Sequence, residues 1–458
     1  MSAPGDLRQL LERLTVRGEL HRIDAAVDPR LEIAAIIDRI CKEPGGGPAL
    51  CFENPTGFAV PVLANLFGSA GRLTLALGVP ALDELGAKLG AALAGAGPGS
   101  GAQRMERCFA APAWQPRLAA TGPCREVQGG ADLLKALPAL HSWPGDGGRY
   151  LTLPLVFTRH PEGGAANCGI YRLQLFDDDT LGLHLGPHAD ARRHLAAWQE
   201  RGEAMPVAVA LGGPPALLLA AGLPLPATVA ETSFAGWLQG RPLDLVPAFD
   251  PGLAVPSLAE YVIEGVVHPG ELRLEGPFGN HTGQYVPAAP APLLRVAQVS
   301  RRRQPLYPCT VVGPPPMEDC WLAKVGERLL LPLLQLDCPE VVDWNLPIET
   351  IFHGAALVAA RVPAKGGRAL LERLRRHPLL ARARLLVLFD QGVDVQQPAT
   401  CYWQALNRVD PEEGIWSRDG LLNIDASDSR TAPVVGAEPG TAARIAERWR
   451  EFGFSTPD

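Results

Sequence analysis

From Met205 to Ala230 the chain carries no charged side chain, and an uncharged run of that length has two ordinary destinations. It can cross a bilayer, which takes about 20 apolar residues, or it can be buried in a large core. Its prolines and glycines decide between them. Pro206, Gly212, Gly213, Pro214, Pro215, Gly222, Pro224 and Pro226 would interrupt any spanning helix. The segment therefore predicts a buried strand, a turn, a short helix and a second turn, with no transmembrane segment. A core able to hold it needs a long chain, and 458 residues correspond to about three domains at roughly 150 residues each.

Hydrophobic residues at 47% and charged residues at 20% argue against a disordered, collagen-like or coiled-coil chain. With 42 Lys and Arg against 49 Asp and Glu, the net charge is −7. That is the wrong sign for a phosphate backbone, so nucleic acid is not an expected partner. Nine cysteines, at 41, 51, 108, 124, 168, 309, 320, 338 and 401, include no C-x-x-C pair. The pattern disfavours a zinc ribbon or a disulfide framework and suits a reducing cytoplasm. The opening MSAPGDLRQLLERL meets Asp6 and Arg8 early and reads as an amphipathic helix, not a signal peptide.

Apolar spacing predicts a helix over Asp6–Gly18, a strand over Glu19–Ile23 and a helix over Leu31–Cys41. Gly-, Ala- and Pro-rich sequence between Gly90 and Pro123 places a first boundary near residue 115. Short β-like runs follow at Tyr150–Thr158, Ile170–Phe176, Leu181–Leu185, Val207–Leu211 and Tyr261–Val267, which suggest an antiparallel sheet or barrel. After Pro308 the order is strand Ala356–Arg361, helix Gly367–Arg376, strand Ala383–Phe389 and helix Thr400–Arg408, hence a parallel sheet. The expected fold class is α/β (α+β). Its parts are an N-terminal α/β domain over 1–115, a central β-rich, barrel-like domain over 116–308, a C-terminal α/β association domain over 309–440 and a tail over 441–458. The apolar run Leu329–Leu336 and the C-terminal sheet point to a homodimer or larger symmetric assembly.

Asn167-Cys168-Gly169-Ile170-Tyr171-Arg172 places an amide and a guanidinium five residues apart. On a regular strand they would face opposite sides. Both serve one site only if the chain bends or a ligand lies along the backbone, which Gly169 permits; otherwise this is an ordinary strand. His188 follows a strand in a turn, and Glu231 ends the uncharged run. With the Asn167 amide they suit a hard or borderline divalent ion, although His188 could cap a helix and Glu231 could be a first-turn carboxylate. In Leu274-Glu275-Gly276-Pro277-Phe278-Gly279-Asn280-His281-Thr282-Gly283, the glycines flanking Pro-Phe bring residues 275 and 280 toward one place. Val311-Val312-Gly313-Pro314-Pro315-Pro316-Met317-Glu318-Asp319 stiffens the approach to a helix over about Cys320–Leu331.

The order of Asn167-x-x-x-x-Arg172, His188, Glu231, Glu275-Gly-Pro-Phe-Gly and Gly313-Pro-Pro-Pro-Met-Glu-Asp resembles the UbiD family of decarboxylases, which use prenylated FMN. The resemblance runs from Asp6 through Asp425 and includes Asn65-Leu-Phe-Gly. It implies that Asn167, His188 and Glu231 hold a divalent metal, Mn²⁺ or Mg²⁺, that ties the flavin phosphate to the protein. It implies a nearby K⁺ held by Cys168, Ala220, Ala221 and Leu223 together with Glu231. Gly169, Ile170, Tyr171, Arg172, Gly222 and Pro224 fall in the same cofactor-binding stretches. Arg172 and Glu275 match two members of the family's Glu-Arg-Glu/Asp network, whereas the third position, usually Asp or Glu, is Asn280.

An amide cannot release a proton near neutral pH, so the proton that replaces CO₂ must come from Glu275, His281, water or a substrate hydroxyl. Glu275 ranks first because Arg172 holds it in the site. Asn280 is expected to contact substrate through its amide, the alternative being an Asx-type bond within its own turn. The implied reaction is the reversible, non-oxidative decarboxylation of an aromatic, heteroaromatic or α,β-unsaturated acid. The small acid and CO₂ are its ligands, and a flavin prenyltransferase is its cofactor source. Two competing readings are a cofactor-binding, weakly active or inactive subunit of a multi-subunit carboxylase, and a flavin reductase. No Gly-x-Gly-x-x-Gly fingerprint supports the last.

Overall fold

The computed structural model describes residues 2–177, 179–363, 366–427, 435 and 437–454. Residues 428–434 of the expected C-terminal domain and 455–458 of the expected tail lie outside the described residues. Helix Leu7–Val16 is capped by Asp6, which accepts from the Gln9 amide at 2.9 Å, and buries Leu7, Leu10, Leu11 and Leu14. A four-stranded sheet follows in the order Leu20–Val27, Ala49–Pro55, Val62–Ala64, Tyr307–Pro308, so the chain returns to this sheet after the central region.

The centre is a nine-stranded sheet. Along its path lie Arg149–Leu151, Leu173–Leu175, Thr180–Leu183, Ala289–Arg301, Tyr261–Glu275, Met205–Leu211, Pro154–Thr158 and Asn167–Ile170, with Val127–Gly129 added to Ala289–Arg301. Each pairing along it is antiparallel. Two pairs of consecutive strands lie toward opposite ends of this path. The chain passes from Leu151 to Pro154, and again from Ile170 to Leu173, by links of two residues. Links that short require the sheet to curl until its ends approach, giving a half-barrel with a seam. This corrects two expected runs: Tyr150–Thr158 and Ile170–Phe176 are each broken in two where the chain crosses the seam.

The uncharged stretch folds as its punctuation predicts. Strand Met205–Leu211 is buried throughout, Gly212 and Gly213 turn with positive φ, and helix Pro215–Ala221 buries Pro215 through Ala220. Its core is shared with Phe109, Phe234 and Trp237, whose rings meet edge-on or tilted at 4.8 to 5.3 Å between centroids, and with the leucines of the first helix. The C-terminal sheet runs Val341–Asn345, Ala355–Ala360, Leu385–Asp390, Leu421–Asp425, Ile415–Arg418. Its three middle strands are parallel, with helix Gly367–Leu374 as the first crossover. Helix Glu318–Asp337 leads into it. Leu329, Leu330 and Leu334 of that helix are buried in the protein's own core, so half of the Leu329–Leu336 run stabilises the fold, while Leu331 and Leu333 are half-buried and Leu336 is exposed. No helix among the described residues is long and apolar enough to cross a membrane.

Candidate active site

The seam answers the question raised by Asn167 and Arg172: the chain does bend between them. Strand Asn167–Ile170 ends one side of the half-barrel, Tyr171 and Arg172 cross over, and Leu173–Leu175 continues on the other side. Arg172 leaves the crossing toward the end of strand Tyr261–Glu275. Its Nε donates to Glu275 Oε1 at 2.9 Å and its Nη2 to Oε2 at 3.0 Å, a bidentate pair. The guanidinium carbon lies 4.3 Å from the centre of the Phe278 ring, which packs on Tyr150 at 4.7 Å.

Beyond Glu275 the backbone turns at Gly276, with φ +102°; a Cβ there would come 3.0 Å from Ala288 Cα, so only glycine suits the turn. The Gly276 amide donates to buried Gln174, and Pro277 O accepts from Gly147. The Glu275 side chain is 2% exposed and that of Arg172 13%. Burial alone pushes the Glu275 carboxyl up, but hydrogen bonds from His184 and Arg172 outweigh it and hold the group down at about 2.

His184 is the residue that sequence reasoning missed, since His188 in the same turn drew the assignment. Its Nδ1 lies 3.1 Å from Glu275 Oε2 and 3.1 Å from Arg172 Nη2. The signal was hairpin register. Leu173 pairs with Leu183 across the turn that contains Asp177 and Asp179, and one step further sets His184 opposite Arg172, whose carbonyl accepts from the His184 amide at 3.2 Å.

Asn280 Oδ1 accepts from the Thr282 amide at 2.8 Å and from the Thr282 hydroxyl at 2.6 Å, the Asx-type arrangement. A substrate contact from Asn280 would therefore use its amide nitrogen. His281 Nε2 lies 3.1 Å from Nε2 of His353, which belongs to the C-terminal helix Ile351–Gly354, and its ring packs on Phe352 at 4.8 Å. Burial, then His353, then Arg172 press the His281 imidazole down to about 4. It is neutral at physiological pH.

On the other side of the seam, Glu231 opens helix Glu231–Gln239, and its Oε2 accepts from the Cys168 amide at 3.0 Å. Asn167 donates to Thr158 at 3.4 Å, and Thr158 also meets His194 at 3.0 Å. Asn167, Glu231, Asp190 and His194 border a recess of about 20 Å³, room for one water-sized occupant. Enclosure pushes the Glu231 carboxyl up to about 7, and Arg193, which also borders the recess, is paired with Asp190. An amide and an enclosed carboxylate are suitable oxygen donors for one divalent ion. His188, the third expected ligand, lies exposed in the turn before helix Asp190–Glu200 and is not part of the recess wall. No group of three or more His, Cys, Asp or Glu side chains able to hold a metal assembles among the described residues. Cys168 is buried beside Glu231, while Ala220, Ala221, Gly222, Leu223 and Pro224 end helix Pro215–Ala221 and continue into the loop beyond it, next to strand Asn167–Ile170.

Residues 11–89, 117–315 and 320–430 match, in turn, the N-terminal, Rift-related and C-terminal domains of 3-octaprenyl-4-hydroxybenzoate carboxy-lyase, UbiD. An uncharacterized protein of Archaeoglobus fulgidus is 37% identical, covering 98% of this chain and 93% of its own. One of Aquifex aeolicus is 38% identical with the same coverage. Among solved structures, an evolved dimeric form of the UbiD-class enzyme HmfF from Pelotomaculum thermopropionicum, in complex with prFMN, superposes with a TM-score of 0.83 at 27% identity, covering 96% of this chain and 98% of that one. HmfF in complex with FMN gives 0.81 at 28% identity, covering 96% and 98%. The vanillic acid decarboxylase of Sedimentibacter hydroxybenzoicus in closed form shares the fold, at TM-score 0.84 and 24% identity, over 99% and 100% of the two chains.

Proposed function

The chain belongs to the UbiD family, and from that premise we propose that it is a carboxy-lyase that removes CO₂ reversibly from an aromatic or heteroaromatic acid with prenylated FMN. The observation that carries this reading is the seam crossing. One segment presents Asn167 to the Glu231 recess at its start and Arg172 to Glu275 at its end. The recess would hold Mn²⁺ or Mg²⁺ through Asn167 and Glu231, with His188 brought in from its exposed turn, and the ion would anchor the flavin phosphate. Carbonyls of Cys168, Ala220, Ala221 and Leu223 would hold K⁺. The HmfF complexes with prFMN and FMN support a flavin as the cofactor. Prenylated FMN, when bound, supplies the electron sink that loss of CO₂ from an sp² carbon requires.

The chain's own groups do the rest. Arg172 commits Nε and Nη2 to Glu275, so the substrate carboxylate meets the Nη1 edge of the fork. Phe278 beneath the guanidinium and Tyr150 behind it give one apolar wall, which favours neutral CO₂ over the charged reactant. A flavin prenyltransferase would supply the cofactor. Association into a homodimer would use the exposed face of helix Pro398–Arg408, where Tyr402, Trp403 and Leu406 face out.

Asn280, tied into its own turn, favours one second reading: a cofactor-binding subunit that is inactive alone. Co-expression with a flavin prenyltransferase, followed by assay of CO₂ release from a panel of hydroxybenzoates and heteroaromatic acids, separates the two. Release supports the lyase, whereas cofactor binding without release or CO₂ exchange supports the subunit. In the active case Arg172→Lys should lower kcat/KM at least about 10-fold, because one point donor replaces a bidentate fork worth roughly 1.5 to 3 kcal/mol. Wild-type turnover in that variant would remove Arg172 from the mechanism.

A further inference from the structure

We propose that His184 is the proton relay to Glu275, the role left open where this chain has Asn280; the proposal rests on the decarboxylase reading above. Three polar atoms form a triangle. Arg172 Nη2 is 3.0 Å from Glu275 Oε2, and His184 Nδ1 is 3.1 Å from each of them. Nδ1 can satisfy only one of these neighbours at a time. With a proton it donates to Oε2; without one it accepts from Nη2. Both states of the imidazole are thus hydrogen-bonded in place, which is what a group that gives up and regains a proton needs.

Exposure supplies the second argument. The Glu275 side chain is 2% exposed, so it has little direct exchange with water, whereas that of His184 is 38% exposed. The path from solvent to the buried carboxylate therefore runs through the imidazole. Asn280 offers no proton, and His281, paired with His353, is held neutral. Among the described residues, the other ionisable or charged neighbours of this cluster are Arg172, Glu275 and Tyr150, whose phenol feels both of them and Asp146, while Arg192 donates to the carbonyl of the adjacent Leu185. Neither arginine releases a proton near neutrality, and burial pushes the Tyr150 phenol up.

The step balances as follows. The bond from ring carbon to carboxylate breaks, CO₂ leaves neutral, and the electron pair ends in a new C–H bond. The proton of that bond comes from Glu275, which receives it from His184 Nδ1. The neutral ring then makes a half-turn, presents its bare nitrogen to water and is protonated again. Arrival of the substrate carboxylate at Arg172 adds negative charge and competes for the guanidinium, and both effects raise the proton affinity of Glu275. Delivery is thereby coupled to an occupied site.

The test uses the cofactor-loaded enzyme and His184→Gln, which keeps a polar side chain at a half-exposed position. Turnover should fall at least about 10-fold with KM within about threefold. The shape of the kcat profile against pH should change from that of the wild type, which a merely structural role would not cause. Added imidazole should restore part of the rate, and so should a second substitution, Asn280→Asp, by providing a different acid. In the unloaded protein, the imidazole ¹⁵N resonances of His184 should respond to Glu275→Gln. An active wild type beside a His184→Gln variant with unchanged turnover and the same pH profile overturns the relay and leaves the lyase standing. A loaded wild type that releases no CO₂ from any acid overturns both.

Discussion

Two opposed effects meet at Glu275, and their balance determines what each substitution does. Burial favours the neutral acid, while donors from His184 and Arg172 favour the anion and prevail, holding the group at about 2 against an ordinary 4.5. A carboxyl lowered on folding stabilises the native state fully above pH 4.5 and loses that contribution as pH falls through its folded value. The wild type should therefore lose about 3 kcal/mol of unfolding free energy between pH 4.5 and 2 through this group. Denaturant titrations should show that slope missing from Glu275→Gln, and equal slopes would mean that the pair is not held as described. Asn280 is a different case, because its turn needs only an acceptor at Oδ1. Asn280→Asp keeps that acceptor, so the thermal midpoint should move by no more than a few degrees. The added acid should speed solvent-deuterium incorporation into product if proton delivery limits turnover. No change in incorporation, with unchanged affinity for the acid, would show that residue 280 serves its own turn alone.

Elements explain which parts were legible in the sequence and which were not. The Met205–Ala230 segment was readable because proline and glycine act locally, and the C-terminal alternation of strand and helix because period and turn residues agree. Arg172 and Glu275 stood out through their motifs, although no periodicity says that the chain bends at Tyr171 and Arg172. That bend follows from the curling of the sheet until its two ends approach, a property of pairing across the whole sheet. His184 was obscured for the same reason, its role being set by the register of one hairpin. His353 sits 72 positions after its partner His281 with no local pattern to mark it. Gly276 makes the point testable. Its φ of +102° and the approach to Ala288 mean that Gly276→Ala should cost about 1 to 3 kcal/mol, while displacing Glu275 from Arg172. Stability and turnover should fall together; loss of stability with turnover intact would show that the turn is not what aims the carboxylate.

At the scale of the molecule, the candidate site reaches from the central half-barrel to the helix Ile351–Gly354. His281 and its neighbour Asn280 come from the first, and His353 and Phe352 from the second. Helix Glu318–Asp337, which joins the two, has Leu329, Leu330 and Leu334 engaged internally and leaves only Leu336 exposed among its leucines, so association draws on a larger apolar surface elsewhere. Helix Pro398–Arg408 offers one. Cys401 and Ala405 face inward, whereas Trp403 and Leu406 are 52% and 83% exposed and Tyr402 lies beside them. An aromatic and aliphatic cluster of this kind is the sort of centre from which symmetric interfaces draw their energy. Light scattering at micromolar concentration should report a dimer or larger assembly. Trp403→Glu combined with Leu406→Glu should shift it toward monomer by at least about 10-fold in dissociation constant, because each charge would be buried without a partner. The substitutions lie far from Arg172 in the chain and on a face turned away from the protein's own core, so the monomer should keep its fold. A wild type already monomeric at that concentration would overturn the association itself, and a double variant that still dimerises would place the interface elsewhere.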